Sequence, residues 1–125
     1  MINTILLYIG SALITIWGIA HLIPTKAIVR GFGAISEDNK KIIMMESIAE
    51  GITLCFIGVL VILITSLTVF PNQVAFIVYL ACAVMLFVMA ILTTLTGART
   101  SILPYKICPF VKTVVGLLFI LGTVL

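Results

Sequence analysis

Four apolar runs, at positions 3–23, 43–67, 73–95 and 108–125, constrain this chain more than any other feature. A helix needs about 20 apolar residues, at 1.5 Å each, to cross a hydrocarbon core of about 30 Å. The first three runs meet that length. The fourth has about 15 strongly apolar residues from Val111, and reaches a full span only if its helix begins near Tyr105 or Cys108. Of the 125 residues, 63% are apolar and 9% charged, where a soluble domain carries about 25% charged residues. Lipid can cover such a surface and water cannot. The expected fold is therefore all-α, an integral membrane four-helix bundle forming one transmembrane domain over residues 1–125. The first run starts at Ile2 with no basic residue before it and has no A-x-A-like end, so it reads as a retained helix.

Between the first two runs, Lys26 and Arg30 stand i,i+4 apart beside Ile28, Val29 and Phe32, and Gly31 and Gly33 follow. Pro24 suits the start of a helix, where its missing N–H costs nothing. This segment reads as a short interfacial helix and a turn. Ser36 then offers an N-cap, and Glu37 and Asp38 favour the positive end of a helix dipole. The second long helix is thus expected to start near Glu37, before the membrane does. Pro71 and Asn72 break the chain between spans 2 and 3. Gly97, Pro104 and Pro109 mark a third connection, with Cys108 in a short loop.

All seven basic residues (Lys26, Arg30, Lys40, Lys41, Arg99, Lys106, Lys112) fall in the two connections that must share a side. The positive-inside rule makes that side cytoplasmic and puts both termini outside, in a plasma (inner) membrane. Ser11, Thr15 and Gly18 share one face of span 1, as do Ser47, Gly51, Cys55 and Gly58 in span 2, and Ala83, Ala90 and Gly97 recur at seven-residue spacing. Small residues let membrane helices approach closely.

Ionisable groups at membrane depth are costly and are functional or paired. His21, the sole histidine, and Trp17 share a face near the cytoplasmic end of span 1. Glu46 and Glu50 lie one turn apart on span 2, Arg99 closes span 3, and Tyr105 follows. Topology brings these six to one end of the bundle, as a ligand-binding cluster in which His21, Glu50 and Arg99 are expected to form one connected polar site with Glu46 at its mouth. The bland reading stands beside it: Glu46 in head-group water, Trp17 and His21 as interfacial anchors, and Glu50 in a structural ion pair. Cys55, Cys82 and Cys108 show no paired spacing, which favours free thiols and no metal site. No HExxH, Walker loop or GxSxG is present.

The segments Ile16-Trp-Gly-Ile-Ala-His-Leu22 and Glu50-Gly-Ile-Thr-Leu-Cys-Phe-Ile-Gly58, with the chain length and span order, resemble DoxX-like small membrane proteins. The resemblance implies a four-span bundle and, for some members, quinone-linked sulfur oxidation. It carries over no catalytic residue. The residues support a bundle that binds a lipid-like or quinone-like ligand or serves as a small subunit of a membrane complex. Alternatives are an embedded isomerase or quinone-linked oxidoreductase with His21 and Glu50 as acid and base, and a proton-coupled transporter, which prefers a site nearer the midplane. Expected partners are membrane lipid, a hydrophobic small molecule and other copies or subunits. Nucleic acid is not among them, and no cofactor is specified.

Overall fold

A computed structural model describes residues 2–125, apart from the side chain of Thr25. Among these residues the chain forms five α-helices and no strand: α1 (Ile2–Leu22), α2 (Thr25–Gly31), α3 (Glu37–Leu67), α4 (Gln73–Leu95) and α5 (Leu103–Val124), with a 3₁₀ turn at Gly97–Arg99. Four of them are long and apolar enough to cross a membrane. Large apolar side chains such as Ile16, Phe56, Val74 and Phe110 point outward from all four and are well exposed. A water-soluble monomer rarely presents such a surface, whereas lipid solvates it. The protein is accordingly a membrane-embedded helical bundle.

Local chemistry sets the helix starts. The Ser36 hydroxyl accepts from the Asn39 backbone N–H at 3.1 Å, and α3 opens at Glu37 as expected. The Asn72 side chain likewise accepts from the Ala75 N–H at 3.0 Å and opens α4. Pro24 occupies the N-cap of α2, and Gly33 turns the chain with φ +75°, a conformation that favours glycine.

The fourth span departs from the sequence expectation. It starts at Leu103 and runs 22 residues, with Pro104 in its first turn and Pro109 inside it. Cys108 and Lys112 therefore belong to a helix and not to a connecting loop. Two prolines read as breakers in sequence are both compatible with a helix here. One sits where no N–H is needed, and the other lies in a membrane helix, where neighbours tolerate the missing bond.

In the bundle, α1 packs on both α3 and α5, α5 packs on α4, and α3 and α4 meet only sparsely. The α1–α3 seam uses the small residues expected of it. A β-carbon on Gly18 would come within 2.8 Å of the Cys55 backbone N and the Gly51 carbonyl oxygen. One on Gly58 would lie 2.8 Å from the Ser11 carbonyl oxygen and against the Thr15 hydroxyl. Ala83 and Ala90 are buried in α4, while Gly97 lies in the 3₁₀ turn against Tyr105. Leu7, Ile14, Leu54, Val61, Leu86, Val115 and Phe119 fill the centre. The sparse α3–α4 seam leaves an opening between these two helices.

Candidate functional site

Four helices converge on one polar cluster. On α1, Trp17 and His21 are one turn apart, with rings in edge contact at 5.7 Å between centroids. The His21 Nδ1 lies 2.9 Å from the Trp17 carbonyl oxygen. A carbonyl only accepts, so Nδ1 carries the proton. In the neutral ring Nε2 then bears its lone pair, and this atom faces Cys108 Sγ at 3.6 Å and Glu50 Oε2 at 3.9 Å.

From α5, Cys108 and Lys112 project one turn apart, and neither has exposed surface. The Trp17 indole N–H donates to Cys108 Sγ at 3.2 Å, and the thiol lies 3.9 Å from Glu50 Oε1. Lys112 donates to that same oxygen and, at 2.8 Å, to the Thr93 hydroxyl of α4. Thr93 in turn donates to the Met89 carbonyl at 2.8 Å. A continuous polar chain thus crosses the bundle from Trp17 to Thr93. No buried side-chain nitrogen or oxygen among the described residues lacks a partner. A buried lysine requires such pairing, since an isolated charge there is very costly.

Two cavities flank the chain. One, about 480 Å³, fills the α3–α4 seam and is lined by Glu46, Glu50, Thr53, Met89, Thr93, Tyr105 and Lys112, among others. The other, about 290 Å³ and mainly apolar, lies between the ends of α1 and α5 beside α2, with Trp17, His21, Pro24, Ile28 and Tyr105 in its wall. A larger hollow of about 650 Å³ sits at the opposite end of the bundle, around Asn3, Phe70, Gln73 and Tyr79. Its lining contains no lysine, arginine, histidine or carboxylate, and a hollow of about 400 Å³ lined by Lys26, Arg30 and Lys40 lies apart from the polar chain, so the seam cavity is the larger of the two that meet that chain.

Of the six residues picked out by sequence, Trp17, His21 and Glu50 come together, and Glu46 and Tyr105 line the seam cavity. Arg99 does not join them. It is exposed on the 3₁₀ turn and lines neither flanking cavity. The cation on Glu50 is Lys112 instead, which lies nine residues, or about 13 Å, into α5. The polar chain consequently reaches deeper than the helix ends. Sequence reasoning also passed over Cys108, having read it as a loop thiol. A usable signal was present: Cys108 and Lys112 are i,i+4 and share a helical face.

No protein-family model, curated protein or solved structure matches this chain. What fold and site define together is a class: a small four-span helical membrane protein with a buried, charge-compensated polar cluster open to a seam between two of its helices.

Proposed function

We propose that this protein binds an amphiphile of lipid-like or quinone-like chemistry in the α3–α4 seam, with the polar head at the Glu50–Lys112 pair and the tail along the apolar seam. The observation that carries this reading is a cavity of about 480 Å³ whose wall holds that pair, the Glu50 carboxylate about a quarter exposed in it. Pockets that are largely apolar with a few convergent polar groups are the usual form of a small-molecule site. Because Lys112 compensates Glu50, the site suits a neutral polar head of the quinone–quinol class. The seam lies between two spans, so the ligand arrives sideways from the bilayer.

The DoxX-like resemblance is compatible with this assignment and supports a quinone as the first ligand to try. The remaining basic residues of the α1–α3 and α4–α5 connections support a cytoplasmic position for that end of the bundle, with both termini outside an inner membrane. An embedded enzyme using His21 and Glu50 as acid and base is the weaker reading, because the two side chains line different cavities and stand 3.9 Å apart, beyond hydrogen-bond reach.

Trp17 is the sole tryptophan and provides an internal probe. A short-chain benzoquinone added to the purified protein in detergent should quench its fluorescence saturably. Ala49→Phe, which narrows the seam, should abolish saturation. Linear quenching of equal slope in both proteins would mean simple partition into the micelle and would defeat the proposal.

A further inference from the structure

We infer that His21, Glu50 and Cys108 form a three-ligand site for a borderline-soft divalent metal ion of the Zn²⁺ class. The inference is independent of the amphiphile reading, because it uses a different atom of Glu50 and the opposite side of the polar chain. One donor atom from each residue lies within 4.8 Å of the other two. The separations are 3.6 Å from His21 Nε2 to Cys108 Sγ and 3.9 Å from Nε2 to Glu50 Oε2. Metal–ligand bonds of about 2.0–2.3 Å at tetrahedral angles imply donor–donor distances of about 3.3–3.8 Å, so the two edges at His21 already fit closely, and the third, within 4.8 Å, closes by rotation of the Glu50 carboxylate toward Cys108.

The surroundings prepare each donor. The Trp17 carbonyl holds the proton of His21 on Nδ1, which orients Nε2 as the metal-facing nitrogen. That is the outer-shell support a ligating imidazole characteristically has. The Trp17 indole N–H points at the sulfur, where it stabilises a thiolate. Lys112 occupies Glu50 Oε1, leaving Oε2 as the single carboxylate donor turned toward His21. Nitrogen, sulfur and oxygen donors together suit Zn²⁺ better than Mg²⁺ or Ca²⁺, which take oxygen ligands.

On binding, the Cys108 thiol loses its proton to water and the sulfur's electron pair forms the bond to the metal. Thiolate and carboxylate then face the divalent ion and the Lys112 ammonium, so the occupied site carries one net positive charge, which an anionic fourth ligand would neutralise. Three protein donors leave a fourth position for water or a ligand head, the pattern of zinc sites that do chemistry. Spacing along the chain gives no hint of this site, because its donors come from three different helices.

The test is cobalt and zinc titration of chelator-stripped protein, purified in detergent without a histidine tag. Co²⁺ should bind at one per chain, with a thiolate-to-cobalt charge-transfer band and release of one proton. Zn²⁺ should displace it. The band should vanish in Cys108→Ser and persist in the Cys55→Ala/Cys82→Ala double variant. His21→Gln and Glu50→Gln should each weaken cobalt binding by about tenfold or more. A wild-type protein that is helical by circular dichroism but shows no thiolate band overturns the site, whatever the variants do. So does a band that survives Cys108→Ser.

Discussion

Lys112 of α5 and Glu50 of α3 form an ion pair inside the bundle, with the lysine wholly buried and the carboxylate about a quarter exposed. The asymmetry in burial governs what each substitution does. Removing Glu50 strands a charge that has no route to water, whereas removing Lys112 leaves a carboxylate that the seam still hydrates.

Glu50→Leu should therefore destabilise the protein by about 3 kcal/mol, and Lys112→Met by about 1–2 kcal/mol. The double variant should recover most of the loss, because two apolar side chains replace the pair. Glu50→Gln should fall between wild type and Glu50→Leu, since its amide oxygen still accepts from Lys112. Arg99→Ala, at an exposed position, should stay within about 0.5 kcal/mol. Denaturation of all five proteins in one detergent checks the order. A fully stable Glu50→Leu would show that Lys112 does not depend on this carboxylate.

Cys108 should resist polar maleimides in intact membranes, contrary to its reading as a loop thiol. It has no exposed surface and lies behind the Trp17 indole. Trp17→Ala should open the α1–α5 cavity and accelerate labelling in a variant whose only cysteine is Cys108. Rapid labelling without that substitution would contradict the helix and burial described for Cys108.

Gly18→Leu and Gly51→Leu should each separate α1 from α3 at a cost of about 1–3 kcal/mol or more. Added side chains there meet backbone atoms, which cannot rotate aside. Gly31→Ala serves as a control, because nothing lies within 4 Å of its added carbon. Thermal unfolding of the three variants should separate the first two from the third by several degrees.

A reporter fused after Leu125 should register the external compartment, and one inserted between Gly33 and Ala34 the cytoplasm. The warrant is the basic side chains at one end of the bundle, now without Lys112, which belongs to the interior. Cytoplasmic activity of the fusion after Leu125 would reverse the orientation and move the seam's mouth to the other side of the membrane.

Much of the architecture was legible from local rules. Apolar runs long enough to span a bilayer marked the long helices, and Ser36 with Glu37 and Asp38 marked where α3 opens. The small faces containing Gly18, Gly51 and Gly58 marked where α1 and α3 approach a neighbour closely, though not which neighbour. Each of these signals lies within one segment, where spacing alone states which residues share a face. The same reasoning gathered Trp17, His21 and Glu50 at one end of the bundle.

The partner of Glu50 was beyond that reach. Helix ends bring Arg99 to the right level, but which helix stands beside which is decided by how the four spans pack. Here α1 fits against both α3 and α5, and α3 leaves α4 nearly untouched. That order turns the Cys108–Lys112 face of α5 inward, toward His21 and Glu50, and leaves Arg99 outside on its turn. Sequence alone determined that the chain forms membrane-length helices and which faces they offer, because both follow from the composition and period of single segments. Only the tertiary structure decided that Lys112, and not Arg99, pairs with Glu50, because a buried charge pair depends on packing contacts between helices distant along the chain.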